Sequence, residues 1–472
     1  MVFSSLQFIF IFLPAFLIVY FAIPRIWRNF WIFVGSVAFY AFGTLDKPQY
    51  ILLLVMSVIV NFIFGKAIGK RRRRGRGRAM LVLGIIYNLA WLCVFKYADF
   101  IFENINILAE HFGGSGELLK PWHLLLPVGI SFYTFQSISY LVDVYREDIP
   151  AESSLANFGA YLTMFPQLIA GPIIKYREIR EEMRGRKATF AQFDQGLRIF
   201  ALGLGLKVIL ANQIGNLWTD IQTIGYESIS TPVAWLGIFA YSFQLYFDFY
   251  GYSMMAIGLG RIMGFTIPQN FDHPYESCSM TEFWRRWHMT LGSWFREYVY
   301  IPLGGNRRSA PRVYFNLFVV WLLTGFWHGA GWNFVLWGLI LFVIIAIEKA
   351  GLKRFLDRAR VRAHIYMFFL IPLTWMVFAI TDMGQLGVYA GRLIGIGANG
   401  FGSVFAGDLA KFVDTYGVLL IICLVLCVSG PAKLFARIRD NVLGAVILFA
   451  IFWGSVYLLN MGLNDPFLYF RF

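Results

Sequence analysis

A chain of 472 residues that is 58% hydrophobic and 19% aromatic, with mean hydropathy +0.62, is far more apolar than the roughly 45–50% of soluble domains. Its net charge of +14 lies in short basic loops between apolar runs, as in cytoplasmic membrane loops, which removes nucleic acid as a partner. Cys93, Cys278, Cys423 and Cys427 lack metal-ligand or disulfide-framework spacing. No metal is expected, and Cys423 and Cys427 read as small packing residues.

In chain order, Phe3 to Ile23 is apolar with Arg25 and Arg28 behind it, an uncleaved first span with its N-terminus outside. Phe30 to Phe42 returns, and Tyr50 to Phe64 crosses toward Lys66, Lys70 and the basic run Arg71 to Arg78, a cytoplasmic loop facing anionic membrane lipid. Ala79 to Phe95 goes out. Asp99 to Trp122, with Gly113-Gly114-Ser115-Gly116, reads as an outside loop with a short amphipathic piece, and Leu124 to Val144 comes back. Phe158 to Ile174 is short and broken by Pro166, Gly171 and Pro172, the pattern of a re-entrant segment whose freed backbone groups need protein or a cavity around them. Lys175 to Lys187 is densely charged and cytoplasmic.

Leu197 to Ala211 and Trp235 to Phe249 form a further pair of crossings, the first weakened by glycines. The second carries Gln244 and Asp248 at i, i+4 spacing, on one face. An intramembrane carboxylate faces a cavity or a partner; pairing with an Arg such as Arg261 is preferred here over catalysis. Gly251 to Phe265 is short and Gly-rich, and its crossing is left open. Met280 to Tyr300 reads as an interfacial helix, with Trp284, Trp287, Leu291, Trp294, Phe295 and Tyr298 on one face. Arg285, His288, Gly292 and Arg296 line another face, with Arg286 alongside. That basic stripe anchors to anionic lipid or, as the sharper alternative, meets a phosphate-bearing donor. Val313 to Trp327, Trp332 to Ile347, Ile365 to Ile380, Val413 to Val428 and Val442 to Leu459 complete the apolar segments. Basic stretches intervene at Lys353 to Arg362 and Lys433 to Arg439, and an outside loop runs to about Lys411. The expectation is an all-α polytopic membrane protein, one integral membrane domain over residues 1–472, with about eleven or twelve membrane segments of roughly 20 residues or fewer.

Within this pattern one stretch stands out, Trp321-Leu-Leu-Thr-Gly-Phe-Trp-His328-Gly-Ala-Gly-Trp-Asn-Phe-Val-Leu-Trp-Gly338. His328 is its single titratable side chain. In hydrocarbon such a group either bonds a neighbouring helix as a structural residue or borders a water-filled path as a functional one. A neutral imidazole there can serve as a general base near neutral pH, and the residues around it hold no Ser-His-Asp pattern. Many spans with re-entrant pieces also describe a polysaccharide or lipid transporter or flippase, or a noncatalytic scaffold, although the chain shows no convincing internal repeat.

Leu126-Pro-Val-Gly-Ile-Ser-Phe-Tyr-Thr-Phe-Gln136, Phe165-Pro-Gln-Leu-Ile-Ala-Gly-Pro172, Gln244-Leu-Tyr-Phe-Asp-Phe-Tyr-Gly-Tyr252, Phe283-Trp-Arg-Arg-Trp-His288, Trp294 to Gly305, Gly325-Phe-Trp-His-Gly329 and the closing Phe467 to Phe472 follow one another in this order. Together they closely resemble the membrane-bound O-acyltransferase superfamily, in its alginate O-acetylation branch. The resemblance implies a helical bundle with re-entrant and interfacial pieces around a central cavity in a bacterial cytoplasmic membrane. It implies a catalytic role for His328 and makes His288 the second characteristic polar position; these two are the catalytic candidates, and Arg285, Arg286, Trp327 and Asp248 are the substrate-binding candidates. No tightly bound cofactor is implied. The donor would be acyl-CoA or an acyl carrier protein thioester, and the partner an extracytoplasmic acetyltransferase acting on polysaccharide. Leu341 and Met254 stand where relatives often carry His and Asp, which leaves the subfamily open.

Overall fold

The computed structural model describes residues 2–72, 75, 77–113, 118–169, 171–397, 400–462 and 467–468. Arg73, Arg74 and Arg76 of the basic run, Gly114 to Gly116, Ala170 and the closing Tyr469 to Phe472 lie outside the described residues. Every regular element among the described residues is helical, and the chain divides into two compact units, residues 1–197 with 256–268 and residues 198–255 with 269–472.

The first unit carries α1 (Leu13–Ala22), α2 (Arg28–Gly43), α3 (Pro48–Arg72), α4 (Gly77–Leu92), α5 (Ala98–His111), α6 (Ile130–Arg146), α7 (Leu155–Thr163), α8 (Phe165–Leu168), α9 (Tyr176–Gly185) and the start of α10 (Phe190–Gly205). Phe165 is the centre of an aromatic cluster, with the rings of Phe8, Phe12, Phe16 and Phe39 within 6.1 Å. The expected break before it is present between α7 and α8. Met164 leaves helical geometry there at ψ 110°, and the freed Phe165 N–H donates to Ser36 Oγ at 3.0 Å. A buried backbone donor is thus satisfied by a side chain of α2, which is what permits an irregular segment inside an apolar bundle. Between α3 and α4 the amides of Asn61 and Asn88 bond reciprocally at 2.7 and 3.0 Å, a polar link suited to a lipid-facing bundle. Of the outside loop expected over Asp99 to Trp122, the part up to His111 is helix, and the described residues after it are irregular. Helical residues run from Gly77 to His111, and the return strand of chain is tied to α5 by Asp99 accepting the Trp122 N–H and Asn106 bonding Leu119.

The second unit carries the end of α10, then α11 (Asn212–Ile224), most of α12 (Thr231–Ile262), α13 (Met280–Arg286), α14 (Met289–Phe295), α15 (Ala310–His328), α16 (Trp332–Ile347), α17 (Lys353–Asp357), α18 (Arg360–Ala379), α19 (Met383–Leu393), α20 (Asp408–Leu426), α21 (Ser429–Ile438) and α22 (Val442–Asn460). The pieces expected on either side of Gly251 are one helix of 32 residues, α12. Its glycines serve close packing. A Cβ on Gly251 would lie 2.6 Å from the Gly203 carbonyl oxygen, and one on Gly203 2.6 Å from that of Gly251, so α10 and α12 meet backbone to backbone. The same device joins α15 to α16, where a Cβ on Gly325 would sit 2.4 Å from the Phe334 oxygen and one on Gly338 2.5 Å from that of Trp321. Seven helices among the described residues are long and apolar enough to cross a membrane. Several of the other apolar segments form helices of 17 residues or fewer, such as α2 and α6, or are broken like α7 and α8.

Met280 to Tyr300 is not one helix. It is α13, α14 and a final π turn Arg296–Tyr300, and the break falls at His288, whose φ of 43° and ψ of 54° place it in the left-handed region. That conformation is uncommon outside glycine, with histidine among the enriched exceptions.

Candidate active site

The second unit holds a cavity of about 380 Å³ whose walls come chiefly from α13, α14 and α15. Thr281, Trp284, Arg285 and His288 line it at i, i+3, i+4 and i+7, one helical face. Gly292 and Arg296 continue that line on the next piece of helix, and Trp321 and Thr324 close the opposite wall. The stripe Arg285, His288, Gly292, Arg296 therefore survives the break, because the left-handed turn at His288 changes the path of the backbone without taking those side chains off the cavity. A second cavity of about 630 Å³ shares Thr281, Arg285, Arg296 and Tyr300 and adds Asn306, Lys349 and Lys353. A third, of about 500 Å³, adjoins through Arg296, Tyr300 and Asn306 and adds Arg307 and Arg308. Along this line a basic mouth gives way to an aromatic interior with an imidazole at its edge.

Helix α13 is held by its first turn. Ser279 Oγ accepts the Glu282 N–H at 3.1 Å, and the buried Glu348 carboxylate accepts Met280 N–H at 2.6 Å and both the N–H and hydroxyl of Thr281, at 2.9 and 2.6 Å. A carboxylate at a helix N-terminus satisfies free donors and opposes the positive end of the dipole. Arg286 faces away from the cavity. It pairs with Glu282 at 2.9 Å and reaches the Asp272 carbonyl oxygen at 3.4 Å.

His288 is 1% exposed, and burial pushes its imidazole down to about 3. Its Nδ1 is 3.0 Å from Asn270 Oδ1, while Nε2 has no hydrogen-bond partner among the described residues. Phe249 stands edge-on to the ring at 4.7 Å, and Trp327 lies 5.9 Å away. His328, the last residue of α15, is buried among Trp327, Trp337 and Phe378 at ring distances of 4.9, 5.0 and 5.2 Å. It follows Thr324 of the cavity wall by one helical turn, so the cavity ends against the face of α15 that bears it. Trp327 separates the two imidazoles.

Asp248 sits elsewhere in the unit. It pairs with Lys207 at 2.5 Å and accepts the Leu468 N–H at 2.8 Å, and Lys207 also donates to Asn212 Oδ1 at 2.8 Å. The partner expected for it, Arg261, bonds Gln195. Asp248 ties the π turn Leu206–Ala211 that follows α10, α12 itself and residues 467–468 together, with Phe467 packed on Tyr252 and Phe249. Of the sequence candidates, the structure brings His288 and Arg285 to the cavity and sets Trp327 and His328 behind its wall. It leaves Arg286 and Asp248 outside. Arg296 was already part of the basic stripe read from sequence; Lys349, Lys353, Arg307 and Arg308 were not candidates, because they come from separate segments whose convergence no local pattern signals. Leu341, at the position where relatives often carry His, is fully buried.

The sequence profile of the membrane-bound O-acyltransferase family, MBOAT, matches residues 32–381. A probable alginate O-acetylase AlgI of Pseudomonas aeruginosa is 41% identical over 388 residues, covering 81% of this chain and 73% of the relative. A probable alginate O-acetylase AlgI of Pseudomonas putida is 35% identical over 494 aligned positions, covering 100% of both chains. A peptidoglycan O-acetyltransferase of Helicobacter pylori is 34% identical over 420, covering 81% of this chain and 78% of the relative.

Proposed function

Given that this chain belongs to the membrane-bound O-acyltransferase family, we propose that it takes an acetyl group from a cytoplasmic thioester and passes it across the membrane for O-acetylation of an exported polysaccharide. It is a multi-pass membrane enzyme of the O-acyltransferase class, and the transporter and scaffold alternatives give way to that. The observation that carries the donor assignment is the line of adjoining cavities, basic at one end and aromatic at the other, with the buried His288 imidazole in its wall. Arg285, Arg296, Lys349 and Lys353 suit the phosphates of coenzyme A or of a phosphopantetheine arm on an acyl carrier protein. The walls formed by Trp284, Trp321 and Phe295 suit the apolar part of the arm and exclude water from the thioester. No cofactor is held tightly; the thioester is a substrate.

In this reading Arg285 and His288 orient the donor, and His328 acts from behind Trp327 as the base. The acceptor O–H gives its proton to the neutral imidazole while its oxygen attacks the thioester carbonyl. The C–S bond breaks, the thiolate leaves, and the imidazolium returns the proton to it. Names of relatives that acetylate alginate and peptidoglycan favour a polysaccharide acceptor, reached through an extracytoplasmic acetyltransferase partner, and a bacterial cytoplasmic membrane as the setting.

The test is purified protein in liposomes given radiolabelled acetyl-CoA or an acetylated carrier protein. Wild-type protein is expected to transfer or hydrolyse the label, and His328→Ala and His328→Gln to lower the rate by roughly 10²- to 10⁴-fold. Folded variants with full activity refute the role of His328, and wild-type protein that consumes neither thioester refutes the donor assignment.

A further inference from the structure

His288 is held by one side chain, and the identity of that side chain fixes which ring nitrogen carries the proton. Asn270 is 1% exposed, and its Oδ1 receives the Thr290 N–H at 3.3 Å and the Thr290 hydroxyl at 2.9 Å, while its Nδ2 donates to Ser253 Oγ at 3.2 Å. A backbone N–H only donates. Turning the amide over would set the Asn270 NH₂ against it, donor to donor, so Oδ1 must face Thr290. The same Oδ1 lies 3.0 Å from His288 Nδ1, and an acceptor there requires the proton on Nδ1. Nε2 then bears a lone pair, is buried without a partner among the described residues, and belongs to a residue lining the cavity. The Asn270 main chain supports the same geometry, since its carbonyl oxygen accepts the Met289 N–H at 2.9 Å directly after the left-handed His288. Segment 270–272 thus grips the turn by backbone and side chain together, with Asp272 N–H donating to the Arg286 oxygen at 3.0 Å.

We infer that Asn270 is a positioning residue that fixes His288 as the Nδ1–H tautomer, so that Nε2 is left as the ring's hydrogen-bond acceptor. His288 therefore accepts hydrogen from its ligand, such as a pantetheine amide N–H or a hydroxyl, and does not donate to the thioester carbonyl oxygen. Stabilisation of the developing oxyanion falls to other donors; Arg285, Arg296 and Tyr300 are the charged or titratable groups that line the same cavity. The functional half of this inference rests on the acyl-transfer reading above, whereas the tautomer does not.

The experiment takes full-length protein labelled with ¹⁵N-histidine, its His288 signals assigned by difference against His288→Gln, alongside kcat and KM for acetyl thioester in Asn270→Leu and Asn270→Asp. Expected are an Nδ1–H tautomer in the wild type, a fall in kcat of roughly 100-fold in Asn270→Leu with KM little changed, and recovery to within a few-fold in Asn270→Asp. The carboxylate keeps every acceptor role and favours the imidazolium, so the acid limb of kcat moves to higher pH in Asn270→Asp. An Nε2–H signal in the wild type overturns the inference, as does unaltered kcat in Asn270→Leu or an Asn270→Asp as impaired as Asn270→Leu. If Asn270→Leu fails to fold, the wild-type tautomer and the Asn270→Asp profile still decide. Absence of thioester turnover in the wild type refutes the acyl-transfer reading alone and leaves the tautomer measurement standing.

Discussion

Lys207 and Asp248 are 3% and 1% exposed and pair at 2.5 Å, with the carboxylate also taking the Leu468 N–H. Lys207→Met removes the cation and leaves a buried carboxylate without its charge partner, which costs about 3–5 kcal/mol. At about 1.4 kcal/mol per tenfold, the folded-to-unfolded ratio drops by roughly two to three and a half orders of magnitude. Adding Asp248→Asn removes the second charge while keeping an oxygen for the Leu468 N–H, so most of that loss is expected to return. The assay is a double-mutant cycle in detergent or lipid, read as the shift of a thermal unfolding transition, with acetyl transfer measured on the same samples. The structure makes the pair a tie between the turn after α10, α12 and residues 467–468, so activity should track stability and return in the double variant. A single variant as stable as wild type refutes the energetic argument. A double variant that folds normally yet transfers no acetyl group refutes the structural role and restores Asp248 to the substrate.

Gly292 lines the cavity, and a Cβ there would meet only the Trp284 carbonyl oxygen, at 3.6 Å; Gly292→Leu is expected to unfold at the wild-type temperature while losing acetyl transfer, and unaltered turnover would show the cavity to be off the reaction path. Arg285→Gln and Lys353→Gln should raise KM for the anionic donor roughly tenfold each with kcat retained, and the wild-type KM should rise with salt; a salt-independent KM contradicts a basic mouth that binds phosphate. Burial lowers the His288 imidazole from its ordinary 6.5 to about 3. The unfolded chain then takes up a proton below pH 6.5 that the folded protein refuses until near pH 3, so stability is lost as pH falls through that window, by up to about 1.4 kcal/mol per pH unit. Unfolding temperatures between pH 7.5 and 5 should fall more steeply for wild type than for His288→Gln, and parallel curves refute the burial argument.

How far the site could be read from residues alone differs from one side chain to the next. Hydropathy and basic clustering specify a helical membrane protein, because in lipid the backbone has few other ways to satisfy itself. That the segment around Met164 is broken was legible from Pro166, Gly171 and Pro172 close together in a short apolar run, too many interruptions for one uninterrupted helix. The stripe of Arg285, His288, Gly292 and Arg296 was visible as a helical period and lines the cavity even though the helix is broken at His288. Continuity of α12 through Gly251 was not legible, since whether a glycine interrupts a helix or lets another backbone approach depends on what lies opposite, here Gly203. Arg285 and Arg286 are chemically alike and adjacent. Only the placement of Glu282 and Asp272 around one of them turns it from the cavity. That Asp248 would find a cation was legible, but which one was not: folding supplied Lys207 and the Leu468 N–H in place of Arg261. The His288 tautomer lies furthest from the linear code, because Asn270 is eighteen residues away and its amide orientation is set by a third residue, Thr290. Periodicity and composition act along the chain and can be read from it, whereas ion pairs, cavity walls and proton positions arise from distant segments meeting, and exist only once they have met.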